Sequence, residues 1–428
     1  MILFYELRLL FKAPVCIVKF VILRDLLFKL MRKLSADYIF PVASEPLKNG
    51  VVTIQADGTI LEIAPGGSEL PDTEIFEGII CPGFINMHCH LELSHMRNQL
   101  ERGTGMANFI KGILSKRADA SADQIQKAIV EAEKEMITNG IVAVADISNT
   151  GDTFQQKEKG NIHYHTFIEI FNPNPVKAAE VLENGMKMEM EIKNTKQKKS
   201  SVSIAPHAPY TMSRELLQLI DLHAQKNKSA ISIHNQESPD EDELFISLSG
   251  SLFNLFKELG FDTGFFHKTN LNALRSTLPY LINATKILLV HNTCTSKEDI
   301  LWAEELIKKS GSSSELYWCT CPNANLYIEN RLPDYSNFIL TNSNVTIGTD
   351  SLASNWSLSI LDEIKTIVKY HPSIPLQTLI CWATKNGAEF LGLNELGTIE
   401  KGKKPGLNLL TNVNGQRIST NTEVVKLI

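Results

Sequence analysis

Residues 82–90 read PGFINMHCH and place His88 and His90 one residue apart at the end of an apolar run. In a strand, side chains two positions apart share a face. Two imidazoles on one face at a strand end make half of a metal site, and neutral imidazole is a common ligand near pH 7. An HxH alone says little. Further along, His207 ends SVSIAPH, His234 ends AISIH with Glu237 three residues on, His291 ends KILLVH, and Asp350 ends NVTIGTD. Each histidine by itself reads equally well as a satisfied core or loop residue. A series of them at corresponding strand ends reads as one site.

Such positioning needs a repeated scaffold. Apolar, strand-like runs occur at 84–88, 141–146, 162–170, 201–207, 230–234, 286–291, 315–320 and 344–350. Helix-length stretches such as 121–139, 175–195, 213–227 and 296–310 lie between them. Alternation of this kind predicts an α/β protein with a parallel sheet. Eight repeats over roughly 300 residues predict a closed (β/α)8 TIM barrel, whose chemistry sits at the C-terminal strand ends. Strands two, three and seven offer no histidine there, although Asp146 and Glu169 are close.

The flanking segments read as β. VVTIQA and TILEIA surround an Asp57-Gly58 turn, and GTIEKGKKPGLNLLT opens the C-terminal part. The expected organisation is a small β-sandwich from 31–80 plus 393–428, built on a barrel spanning 81–392. Residues 1–30 are apolar, but Glu6, Arg8, Lys12, Lys19, Arg24, Asp25 and Lys29 interrupt them. No uncharged run approaches the ~18 to 20 residues of a membrane span. They read as an extension outside the domain. A net charge of -6 excludes a nucleic-acid binder. Seven scattered cysteines show no disulfide framework and fit a reduced, cytoplasmic protein. The basic run KQKK at 196–199 reads as a solvated turn. The expected partner is a small-molecule substrate, without nucleic acid or membrane; assembly into a homo-oligomer is left open.

The pattern resembles the amidohydrolase superfamily from about Lys33 onward. PGFINMHCH, HAPYTMS (207–213), HNQE (234–237), VHNT (290–293), IGTDSLASN (347–355) and GTIEKGKKPG (397–406) occur in that family's order. The resemblance implies that His88, His90, His234 and Asp350 bind a divalent metal, zinc first and iron second. Three imidazoles and a carboxylate leave a position for water and suit either ion. Asp350 can then take a proton from that water, and His291 can orient the hydroxide and stabilise developing charge. Glu237 is placed to act as general acid and base. The family's binuclear branch carries a lysine at the end of strand four. SIAPHAPY has none, which favours one metal and the deaminase branch. Glu169 is read as supporting the site or ending the core.

Within that branch, HAPYTMS and TDSLASN resemble enzymes that deaminate adenine nucleosides. HLELSH (90–95) and CPNANLYI (321–328) resemble the aminofutalosine deaminase type. The resemblance puts His207 on the sugar side of a substrate and Ser354 beside it. Glu92 faces either the ligand or a salt-bridge partner. Expected alternatives are guanine or cytosine deamination, triazine dechlorination, or a metal-bound binding protein without catalysis. The retained Glu237 argues against the last.

Overall fold

The computed structural model describes residues 31–66, 70–194 and 200–428. The N-terminal segment 1–30 and the KQKK run lie outside the described residues. The first strands are β1 (Met31–Ile39), β2 (Leu47–Lys48), β3 (Val51–Gln55), β4 (Ile60–Ala64) and β5 (Thr73–Pro82). Then come β6 (Phe84–Cys89), β7 (Ile141–Ser148), β8 (His163–Ile170), β9 (Ser200–Pro206), β10 (Ile231–Asn235), β11 (Lys286–His291), β12 (Glu315–Thr320) and β13 (Val345–Ile347). The last are β14 (Leu407–Thr411) and β15 (Glu423–Lys426).

All eight expected central strands are present, and each pairs in parallel with its sequence neighbour inside its own sheet. They are rich in apolar residues because layers cover both of their faces; all six residues of β6 are buried. Amphipathic helices supply that cover, among them Ala122–Thr138, Ala178–Lys193, Arg214–Asn227 and Lys297–Ser310. Ser121 caps the first of these in a reciprocal capping box with Gln124, which sets where the helix begins.

The ladders form two four-stranded sheets, β6-β7-β8-β9 and β10-β11-β12-β13, where sequence periodicity leads one to expect an unbroken ring. The reason lies at the seams. β9 ends at Pro206, which has no N–H to donate, and β13 is three residues long. Single backbone bonds take over. His234 N–H donates to the His207 carbonyl at 2.9 Å, and the Thr349 and Asp350 N–H groups both donate to the His88 carbonyl, at 3.0 and 2.9 Å. Gly348 makes that approach possible, because a Cβ there would lie 2.7 Å from the His88 nitrogen. One buried cluster draws Ile85, Ala143 and Phe167 from the first sheet and Leu288, Val290 and Tyr317 from the second.

The flanking segments also pair. Hydrogen bonding runs through one seven-stranded sheet, β15-β14-β5-β1-β3-β4 with β2 on β1, where two stacked layers are the sequence expectation. β5 pairs with β14 and, through Gly83, leads directly into β6, so this sheet anchors the strand that carries the HxH. Among the described residues no helix is long and apolar enough to cross a membrane.

Candidate active site

His88 is the next-to-last residue of β6 and His90 follows the strand, and their Nε2 atoms lie 3.2 Å apart. The Asp350 Oδ1 lies 3.7 Å from His88 Nε2 and 3.5 Å from His90 Nε2. One ligand atom each from His88, His90 and His234 falls within 4.8 Å of the others. Asp350 reaches this point with φ 58, and His291 sits at φ 74. Left-handed backbone at non-glycine residues costs energy and concentrates at functional positions.

The protonation pattern suits a cation. His234 Nδ1 lies 2.7 Å from the His207 carbonyl oxygen, so that nitrogen carries the hydrogen and Nε2 is left with a free lone pair. Burial holds His88 and His90 well below the ordinary imidazole range, and the neighbouring rings add to the effect. Burial lowers His234 to about 4. Neutral imidazoles converging beside a buried carboxylate are the donor set of a divalent metal, so the chemistry of these residues fits one. Asp350 is pushed up to about 6 by burial, against the Ser354 hydrogen bond.

Across from these groups, His291 Nδ1 donates to Asn325 Oδ1 at 2.8 Å. Its Nε2 is therefore bare, and it finds no hydrogen-bond partner among the described residues. Glu237 Oε1 lies 3.6 Å from it. Burial raises Glu237 well above the carboxylate range, with Asp350 and Glu241 reinforcing the shift, so it is held as an acid. Its loop is fixed by Glu241, whose carboxylate accepts the N–H groups of Gln236, Glu237 and Ser238 at 3.0, 2.7 and 3.3 Å.

These groups open on a cavity of about 240 Å³. His90, His234, Glu237, His291 and Asp350 line one part, and His207 and Glu169 another. The remaining wall is mostly apolar, with Met106, Phe109, Ile110, Phe171, Phe256 and Phe261, and includes the polar side chains of Arg117 and Asn149. His207 lines the cavity on the side away from His291. Of the two readings of Glu92 the salt bridge holds, and the placement of Ser354 is corrected. Glu92 does not line the cavity: Oε1 takes the Arg117 guanidinium at 2.5 Å, and Oε2 accepts the Asn149 N–H, the Thr150 N–H and the Thr150 hydroxyl. Ser354 is fully buried and donates to Asp350 Oδ2 at 2.5 Å, so it orients that carboxylate and does not face the substrate space, where Ser351 lies. Sequence reasoning also passed over Glu241 and the aromatic wall. Ser238 followed three residues later by Glu241 is a capping-box signature that marks the former. Most of the wall comes from helices Met106–Lys116 and Gly250–Glu258, with Phe171 just after β8 and Phe261 just after the second helix, and it carries no local signal of its own.

A family model described as "Amidohydrolase family" matches residues 79–427, and the chain belongs to the amidohydrolase family. It is similar to an adenosine deaminase of Helicobacter pylori (strain ATCC 700392 / 26695), 26% identical over 345 residues that cover 78% of this chain and 80% of that protein. Its fold matches the crystal structure of Helicobacter pylori aminofutalosine deaminase in complex with methylthio-coformycin. The TM-score is 0.75 at 23% identity, over 89% of this chain and 92% of that one. An adenosine deaminase from Xanthomonas campestris with bound zinc shares the fold at a TM-score of 0.66 and 19% identity, over 88% and 84% of the two chains.

Proposed function

We propose that this protein hydrolyses the exocyclic amine of an adenine nucleoside and releases ammonia, using one divalent metal, zinc before iron. His88, His90, His234 and Asp350 would hold the ion. The observation that carries the reading is the opposition of the converging His88, His90 and His234 nitrogens and Asp350 to the buried Glu237 and a bare His291 Nε2, beside a mostly apolar cavity. The similarity to nucleoside deaminases supports the choice of substrate.

A metal bound there supplies a polarised water whose pKa falls from ~15.7 toward 7. The remaining chemistry belongs to the chain. Asp350 takes one proton from the attacking water. Glu237 gives its proton to the ring nitrogen beside C6, which makes that carbon electrophilic; this proton stays in the product. As the C6 carbonyl forms, Glu237 accepts the adduct's hydroxyl proton and passes it to the departing amine. The proton held by Asp350 then restores Glu237. His291 Nε2 orients the attacking oxygen. The mostly apolar wall excludes water and suits a bulky 5′ substituent, with aminofutalosine first, then S-adenosylhomocysteine or methylthioadenosine.

The same reading treats the two four-stranded sheets as one (β/α)8 barrel over 81–392. The termini, 31–80 plus 393–428, form the β-sandwich beside it, and 1–30 is an extension. Six free cysteines among the described residues support a reducing, cytoplasmic setting.

The test is ammonia release together with loss of adenosine absorbance across 5′-substituted adenosines, adenine, guanine and cytosine. The expected result is turnover of the nucleosides with adenine a much poorer substrate. A preference for guanine or cytosine over every nucleoside overturns the substrate assignment.

A further inference from the structure

Glu169 stands at the cavity with no part in the chemistry above. It ends β8, is 5% exposed and lines the cavity beside His207. Its two oxygens differ. Oε2 accepts the Asn149 side-chain amide at 2.8 Å, and Asn149 Nδ2 also reaches the Glu169 carbonyl at 3.1 Å, which locks the carboxylate plane. Oε1 has only His234 Nδ1 nearby, at 3.6 Å, and the hydrogen on that nitrogen is committed to the His207 carbonyl. Among the described residues Oε1 has no hydrogen-bond donor.

His207 shows the same polarity. Thr211 Oγ1 donates its proton to the Ala208 carbonyl at 3.0 Å, so toward His207 Nδ1, 2.9 Å away, it can only accept. Nδ1 therefore carries the hydrogen, and His207 Nε2 is a bare acceptor. One ligand atom each of Glu169, His207 and His234 lies within 4.8 Å of the others. Two acceptors side by side, Glu169 buried and His207 half-buried, with no donor of their own, call for a ligand that brings two donors. A cation is the competing occupant, but the third member of that cluster, His234, offers it only an N–H on this side.

The position selects among two-donor ligands. The His207 ring is 4.8 Å from His234, and His234 in turn is 5.4 Å from His291. The pair thus lies one residue removed from the groups assigned to the reacting ring, at the distance where a ring substituent emerges. The geometry points to Glu169 and His207 as a subsite for a vicinal diol: Glu169 Oε1 and His207 Nε2 accept hydrogen bonds from the 2′- and 3′-hydroxyls of the nucleoside ribose. This inference rests on the nucleoside reading above and deepens it.

The experiment compares adenosine with 2′,3′-dideoxyadenosine in turnover, and their products inosine and 2′,3′-dideoxyinosine in binding by calorimetry. The wild-type protein should prefer the ribose form of each pair by about tenfold or more, because hydrogen bonds to charged or bare buried acceptors are the stronger class. Glu169→Gln should shrink that preference at least about tenfold, mainly through KM, with metal content unchanged. Thr211→Val removes the acceptor that sets the His207 tautomer and leaves Glu169 untouched. It should shrink the preference too, which keeps the test open if the first variant is poorly folded. An equal loss on both sugars would mean that Glu169 only supports the fold, and a loss of metal would make it a ligand; either result overturns the diol site. If the wild type binds inosine over its dideoxy form but deaminates nothing, the deaminase reading fails alone. If it deaminates both sugars equally, or binds neither product, the diol site fails.

Discussion

Two buried glutamates near the strand ends show how differently one residue type can be used. Glu92, in the turn after the HxH, has a donor on every available side: the Arg117 guanidinium, two backbone N–H groups and a hydroxyl. Glu237, in the turn after β10, has no hydrogen bond to its carboxyl among the described residues, only the bare His291 nitrogen at 3.6 Å. Burial raises both. At Glu92 the donors oppose the rise. At Glu237 the neighbouring carboxylates Asp350 and Glu241 add to it. A saturated carboxylate ties two loops together, whereas one without donors keeps a proton available for transfer.

Mutation can break this contrast. The largest effect is expected for Glu237→Gln, which keeps shape and removes proton transfer. The kcat should fall by about 10² to 10⁴-fold, with metal content and thermal midpoint nearly unchanged. A loss below about tenfold would remove Glu237 from the proton path. Glu92→Ala should act the other way. It strands the Asn149 and Thr150 donors and the half-exposed Arg117, so folding stability should drop by about 3 kcal/mol, discounted for the solvent around Arg117. Thermal melts of metal-loaded protein read this out, and an unchanged midpoint would show the clamp to be idle.

Glu363 sharpens the contrast as an intermediate case. It is fully buried and has two donors, Asn323 N–H at 2.8 Å and the Asn355 amide at 2.7 Å, yet burial still carries it to about 8. A folded-state pKa above the ordinary 4.5 means that the protonated form favours folding. The stability this gives is fully present below about 4.5 and is lost as pH rises toward about 8. The thermal midpoint of the wild type should therefore fall relative to Glu363→Gln between about pH 5 and about pH 8. A constant gap between the two melting curves would show that two donors suffice to cancel the desolvation.

Much of this was legible beforehand, for physical reasons. The central strands were readable because burial on both faces makes them continuous apolar runs, and His88, His90, His234, His291, Asp350 and Glu237 stood out as polar residues ending such runs. The role of Ser354 was not, and for Glu92 the sequence left two readings open, because satisfaction of a side chain depends on partners such as Thr150 and Asp350 that only the fold brings near. The split into two sheets also escaped periodicity, since it turns on one proline and one short strand. Glu169 was visible as a strand-end acid, but its two unlike oxygens appear only once Asn149 and His234 are in place.

The seam between β13 and β6 has a consequence for how this chain can change. The His88 carbonyl receives both the Thr349 and the Asp350 amides, and its backbone leaves room for nothing larger than glycine at 348. The first and last central strands are thus stitched at His88 and Asp350, two of the residues proposed to hold the metal, and Asp350 also lines the cavity. Variation at 88, 348 or 350 is then judged twice, once by the architecture and once by the reaction. A change in the aromatic wall is constrained by the cavity alone, while a change in this corner also disturbs the seam between the sheets.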